Sequence, residues 1–307
     1  MWSTECLPQA QFTDELCALF AQVFSKPITA SWWRWKYHDA ALLGRINIVL
    51  RGVDGSICGH AGAVIWPGVY QGQTIPIAQV CDVMLAPQQR GNAGPRGAYA
   101  TLMKALIQAL QQQVSDGLHY GFPGERPFRL GERLGFYRGT GLIQAWRLPA
   151  QKQWWQRWRW SRLDWQAPCL DRLWQDDRPK TRCMLRRDAR YLAWRYARHP
   201  EHRYQLLGLR DRFKLTGWVI VRTEGTVLHC IDRLVDETAL HTLWPLLADR
   251  AYTEGLAAVE LWAEDTATLP TTAVAHSTGM MGVVMPSSAL PLRECHPFWQ
   301  PGDTDVY

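Results

Sequence analysis

The segment from Gln79 to Gly97 gathers the residue types that hold a phosphoanion. An apolar, strand-like run is closed by Pro87, and a glycine-rich turn carrying Arg90 and Arg96 follows before a helix-forming stretch. Glycines let backbone N–H groups converge on phosphate oxygens, and the start of a helix adds its dipole. The two arginines supply charge-assisted hydrogen bonds. Within the strand, Asp82 is a carboxylate among apolar neighbours, where burial raises a carboxyl pKa unless a partner holds it. It is a candidate general base, and equally a structural acid satisfied by backbone donors. The turn itself also reads as an ordinary strand-to-helix connection that uses glycine for its conformation.

The elements that must position this segment are legible from periodicity. Thr13 is a helix N-cap ahead of Leu16, Leu19, Phe20, Val23 and Phe24, which recur at helical spacing. Trp35-Lys36-Tyr37 precedes a strand over Ile46–Leu50, and Asp54-Gly55 marks a hairpin turn into Cys58–Ile65. After the strand Ile77–Leu85 and the turn, Leu102, Leu106, Leu110 and Val114 line one face of a helix that stops near Gly117. A short strand, Leu118–Phe122, follows, and Glu132–Phe136 opens the final unit.

A second half repeats this order. Trp194-Arg195-Tyr196 echoes Trp35-Lys36-Tyr37, and Cys230-Ile231-Asp232 echoes Val80-Cys81-Asp82. Tyr204–Leu209 and Gly217–Val221 read as strands, with Glu224-Gly225 as a turn. Leu240, Leu243, Leu247 and Ala251 mark a helix ending at Gly255, and Gly279 is matched to Gly135. The shared order argues for a tandem duplication of domains 1–150 and 183–307, joined by a Trp/Arg-rich connector at 151–182. Trp154, Trp158 and Trp165 in that connector are read as sharing a helical face, with Arg157, Arg159 and Arg162 around it. The bland role of this stretch is to cement the domains. It is also the one place where nucleic acid or a membrane interface is conceivable.

Pro87-Gln88-Gln89-Arg90-Gly91, placed after an apolar strand, resembles the GNAT acyltransferase pattern P-x-x-R-G-x-G/A-x-G/A. Tyr120-Gly121-Phe122-Pro123-Gly124 and Arg133-Leu134-Gly135-Phe136-Tyr137 resemble the fifth strand and the ending of that fold, so the resemblance covers about Phe12 to Leu148. It implies an α/β (α+β) protein of two tandem GNAT-like domains, each a mixed, mostly antiparallel sheet flanked by helices, the second degenerate because it lacks the glycine-rich loop. It implies acetyl-CoA or another acyl-CoA as co-substrate. Val83 and Leu85 then contact the pantetheine, and Arg90, Gly91 and Ala93 the pyrophosphate. Gly94-Pro95-Arg96-Gly97 is an insertion ahead of the helix, so Gly94 and Gly97 share the loop's role.

Acyl transfer to an amine requires a base for the amine, a stabilised oxyanion and an acid for the leaving thiolate. The resemblance places the usual tyrosine acid at Gly131, where it is absent. Tyr120, Tyr137 and His119 are the substitutes, and Asp82 the base; Glu125 and Glu132 are expected to be solvated, while Asp303 and Asp305 could reach over the cleft.

Composition sets the outer limits. A chain of 307 residues, 47% hydrophobic, fits two folded domains. The start, Met1–Gln11, lacks the pattern of a signal peptide, and no apolar run is long enough for a membrane span. Eight cysteines stand singly, with no zinc spacing, so a reducing cytoplasm and no metal site are expected. A net charge of +6 suits anionic ligands. The expected activity is acyl transfer to an amine of a small molecule or peptide. The alternatives are a carrier-protein or aminoacyl-tRNA donor, or a non-catalytic ligand-binding module.

Overall fold

A computed structural model describes residues 2–7, 13–38, 42–154, 157–177, 183–236, 239–263, 266–286, 297 and 299–304. The elements of the first half are β1 (Ser3–Cys6), α1 (Asp14–Phe24), α2 (Ala30–Tyr37), β2 (Gly44–Arg51), β3 (Ile57–Tyr70), β4 (Gln73–Leu85), α3 (Ala98–Gln113), β5 (Leu118–Gly121), α4 (Glu125–Arg133) and β6 (Arg138–Pro149). They are followed by β7 (Trp158–Arg162), α5 (Cys169–Asp177), β8 (Met184–Leu185), α6 (Ala189–Leu192), β9 (Gln205–Asp211), β10 (Lys214–Glu224), β11 (Val227–Val235), α7 (Leu240–Thr253), β12 (Ala258–Trp262) and β13 (Val274–Val284).

The chain forms two compact units. Unit 1 comprises residues 1–141, 181–185 and 280–297, and unit 2 comprises 142–180, 186–279 and 298–307. In unit 1 the sheet runs β1-β2-β3-β4-β5, closed by Val283 and Val284 of β13 on Gly121 and Tyr120. All its pairs are antiparallel except β4 with β5. Local chemistry accounts for its helices. The Thr13 hydroxyl caps α1 by accepting from the Leu16 amide at 3.2 Å, and Leu16, Leu19 and Phe20 turn one face inward. Full burial of such side chains contributes roughly 1.5–3 kcal/mol each. Gly55, at φ 81°, makes the β2–β3 turn that Asp54-Gly55 announces.

Unit 2 is built the same way: Ala145–Pro149 of β6 pair with β12, and the sheet continues through β11, β10 and β9 to β7. Only β11 with β12 is parallel among these pairs. Its core packs Leu207, Val219, Leu228, Trp244, Leu247 and Leu261 together. The last strand of each unit is therefore supplied by the other repeat in sequence. Gly141 (φ 136°) lies within β6 and Gly279 (φ 73°) within β13, and the chain passes from one unit to the other after each. Gly279 thus corresponds to Gly141. The expected match to Gly135 fails, because Gly135 (φ 76°) closes α4 instead.

Two further expectations are corrected. Trp158 and Trp160 lie on strand β7, where alternation turns both toward the unit 2 core, so the connector presents no shared helical face there. Trp154 is exposed, and Trp155 lies outside the described residues. The helix expected to reach Gly117 ends at Gln113, and Gly117 packs so closely on Pro76 that a Cβ would sit 2.3 Å from its carbonyl oxygen.

On β12, Glu260 receives Arg147 at 2.9 Å, His276 at 3.3 Å and His229 at 3.4 Å. The His229 hydrogen bond, and after it Arg147, hold its carboxyl down to about 2, from a usual value near 4.5. A depressed folded pKa stabilises above the usual value and is lost as pH falls through the folded one. Glu260→Gln should therefore flatten the loss of stability between pH 4.5 and 2. Chemical denaturation across that window checks it, and unchanged slopes for wild type and variant would refute the assignment.

Candidate active site

The site begins with a defect in β4. His60 pairs with Met84 but Gly62 pairs with Cys81, so β4 carries an extra residue at Asp82-Val83. Asp82 takes φ 49°, a left-handed conformation that a non-glycine residue holds only when its surroundings impose it. They do so from both ends of the residue. The Asp82 carbonyl accepts from His60 Nδ1 at 2.8 Å, while its carboxylate takes Lys36 Nζ at 2.9 Å and the Tyr37 hydroxyl. Lys36 and Tyr37 arrive together because they end α2. Burial keeps His60 neutral by lowering its pKa, and raises that of Tyr37 well above its usual value.

The bulge opens the sheet. β4 registers with β5 only at Ile77–Gln79 against Leu118–Tyr120. Beyond Gln79, among the described residues, no strand pairs with β4 on that side. Val83 and Leu85 are half-buried there, while Asp82 and Met84 are buried. An unpaired strand edge offers N–H and C=O groups to an extended amide-bearing chain. These are the residues the sequence assigned to pantetheine.

The open edge runs straight into the glycine-rich loop. Pro87–Gln89 form a single 3₁₀ turn, and Arg90 folds back so that Nε donates to the Leu85 carbonyl at 2.9 Å. Gly91, Ala93 and Arg96 are exposed, and Gly94 is half-buried. Asn92 shapes the turn, its Oδ1 accepting from the Gly94 amide at 2.9 Å. Gly97 is the N-cap of α3, offers no side-chain cap, and lies so close to Asn92 that a Cβ would be 2.0 Å from its carbonyl oxygen. The first amides of α3 are thus directed past a residue without a side chain, as anion binding at a helix N-terminus requires. Two cations that sequence reasoning passed over also reach the loop: Arg133 donates to the Ala93 carbonyl at 3.1 Å and Lys104 to that of Pro95 at 3.1 Å. Sequence reasoning assigned neither side chain a role at the loop, and only the fold turns them to it.

Position 131, where the resemblance expected a tyrosine, is filled from elsewhere. A Cβ on Gly131 would lie 2.2 Å from Cδ2 of Tyr137, so the Tyr137 ring occupies the space a side chain there would take. The Tyr99 hydroxyl, on the first turn of α3, donates to the Tyr137 hydroxyl at 3.0 Å. Burial raises the pKa of both phenols, while the bond from Tyr99 acts in the opposite direction on Tyr137. Tyr120 is fully buried, edge-on to Phe122. His119 is also buried, its Nε2 2.8 Å from the Val114 carbonyl. Glu125 and Glu132 are exposed. Asp303 belongs to unit 2, where Arg187 holds it, and Asp305 lies outside the described residues. Among the described residues no cluster of three potential metal ligands is found, and no helix is long and apolar enough to cross a membrane.

Comparison with known proteins follows the same division. Residues 8–139 match the family model of the acetyltransferase (GNAT) domain. No curated protein matches the chain by sequence. Among solved structures, a probable N-acyltransferase from Enterococcus faecalis superposes with a TM-score of 0.69 at 15% identity, over 94% of this chain and 73% of that one. A GCN5-related N-acetyltransferase from Anabaena variabilis gives 0.66 at 19%, over 92% and 72%. A tandem GNAT protein from the clavulanic acid biosynthesis pathway gives 0.60 at 14%, over 94% of this chain and all of that one. These similarities concern the fold, whereas the bulged strand, its open edge and the loop all fall within residues 8–139, the part of the chain that matches the GNAT acetyltransferase family model.

Proposed function

We propose that the protein transfers an acyl group, with acetyl-CoA as the leading donor, to an amine of a small molecule or peptide. The observation that carries this reading is the unpaired edge of β4 leading into the glycine-rich loop at the N-terminus of α3. Val83 and Leu85 hold the pantetheine arm by backbone groups. The loop from Arg90 to Gly97, with Arg96 and Arg133 beside it, takes the pyrophosphate.

In the reaction the amine nitrogen attacks the thioester carbonyl, the C–S bond breaks, and the sulfur needs a proton. Tyr137 supplies it from its hydroxyl, since the proton it receives as a hydrogen bond from Tyr99 leaves its own O–H free to point elsewhere. The raised pKa keeps Tyr137 protonated until the thiolate forms, and Tyr99 then stabilises the phenolate. Tyr120, wholly buried and edge-on to Phe122, is assigned to packing. Asp82, expected as the base, already holds Lys36 and Tyr37, and we assign it to positioning the bulge rather than to proton transfer. The amine then loses its proton to solvent.

Calorimetric and thermal-shift titration with acetyl-CoA, free CoA and a long-chain acyl-CoA tests the donor. Binding to the folded state raises the midpoint according to concentration over Kd. The shift should be smaller in Arg90→Ala, and no shift with any of the three would overturn the reading. For the acid, Tyr137→Phe should lower kcat by about 10²–10⁴-fold with KM for the donor little changed. Thiol release over a panel of amines measures it; an unchanged kcat would remove Tyr137 from the chemistry.

A further inference from the structure

Unit 2 contains a second opening of the same construction. β11 registers with β12 only at Val227–His229 against Ala258–Glu260, as β4 does with β5 over an equally short stretch. A bulge in β11 lies between Cys230 and Asp232, and the Tyr196 hydroxyl donates to Asp232 Oδ2 at 2.7 Å, as Tyr37 does to Asp82. The opening here is filled. Pro301, with Cys230 and Ile231 of one strand and Leu261 and Trp262 of the other, lines a recess too narrow for a water molecule. Arg233 crosses the gap, donating to the Trp262 carbonyl at 3.1 Å and to Gln300 Oε1 at 2.8 Å.

The segment that fills it is held along its length. Arg195 Nε donates to the Gly302 carbonyl at 3.0 Å and its Nη2 to that of Thr304 at 2.7 Å. Asp303 receives Arg187 through both carboxylate oxygens at 2.7 Å. Gly302 fits because it has no side chain: a Cβ would lie 1.9 Å from the Tyr196 hydroxyl. Gln300 to Thr304 are almost wholly buried. The stretch from β11 to α7, Asp236 to Ala239, contains neither glycine nor arginine and carries two acids, so its sequence lacks the glycine and arginine of the loop that follows β4.

We infer that the unit 2 opening is a groove of the acyl-pantetheine type whose occupant is the chain's own segment Trp299–Thr304, so that each chain takes up a single acyl-CoA. The groove's occupancy stands independently of the activity proposed above; the stoichiometry rests on it. Native mass spectrometry and hydrogen exchange on the full chain, with and without acetyl-CoA, test the two parts. One acetyl-CoA per chain is expected, with the amides of Gln300, Gly302, Asp303 and Thr304 protected in both states. Two acetyl-CoA per chain, or protection lost on adding acetyl-CoA, would overturn the inference. Fast exchange of these amides in the free protein would do the same. Protection without any acetyl-CoA binding would instead count against the activity and leave the groove filled. Gly302→Ala should speed exchange across 300–304 by about tenfold through overpacking on Tyr196 while acetyl-CoA binding persists. Unchanged exchange in that variant would show that the segment is not seated as described.

Discussion

Arg187→Leu should cost unit 2 about 3–5 kcal/mol, the largest stability effect of any single substitution considered for this chain. Arg187 is fully buried, and it joins Asp232 at 2.7 Å with Asp303 at 2.7 Å, both carboxylates themselves buried. Burial, and after it the second negative charge of Asp232, hold the Asp303 carboxyl up at about 6 even with Arg187 beside it. Removing the guanidinium leaves two acids in a dry site, with the Tyr196 hydroxyl, the Arg233 amide and the Gln300 amide among their remaining hydrogen-bond donors. They must protonate or drag water inward, and either outcome destabilises the folded state. Urea denaturation monitored by tryptophan fluorescence and by exchange of the β10 and β11 amides measures the loss. Adding Asp303→Asn to Arg187→Leu should recover part of it, since one of the two unpaired charges is gone. A loss under about 1 kcal/mol for the single variant would mean that the cluster is hydrated rather than closed.

Gly97→Ala should raise the Kd for acetyl-CoA by about 10- to 100-fold, the equivalent of losing one or two charge-assisted hydrogen bonds. Its φ of −75° suits alanine, so conformation is not the obstacle. The obstacle is the carbonyl of Asn92, 2.0 Å from where the methyl would sit. The loop must lift away, and the amides ahead of α3 lose their common aim. Gly91→Ala is the control, because a Cβ there meets nothing within 4 Å. Isothermal titration of wild type and both variants decides: a Gly97→Ala affinity equal to that of wild type would mean that the loop does not grip the pyrophosphate. The two glycines look alike in sequence and differ only in what faces them.

That contrast marks the limit of the sequence more generally. Asp82 stood out as an acid among apolar neighbours, yet Lys36, Tyr37 and His60, which determine its role, lie 22 to 46 positions away. The absence of a tyrosine at Gly131 was visible; its replacement by the ring of Tyr137 was not, because the return from α4 brings the two together. The Trp/Arg stretch reads as helical through a shared face of Trp154, Trp158 and Trp165, but pairing of Trp158–Arg162 with β9 overrides spacing that suits either period. Nothing in Trp299–Thr304 marks it as the filling of a groove.

By itself the sequence determined what is local: the Thr13 cap, the turn at Asp54-Gly55, the apolar faces of α1 and α3, the glycine-rich turn after β4, and the doubled order of elements. Each rests on backbone preference or on periodicity within a few residues. Tertiary structure alone decided the exchange of β6 and β13 between units, the partners of Asp82 and Asp232, the Tyr99–Tyr137 pair and the filling of the second opening. Those are contacts between residues far apart in the chain, and they arise only when buried polar groups must find partners inside a closed core.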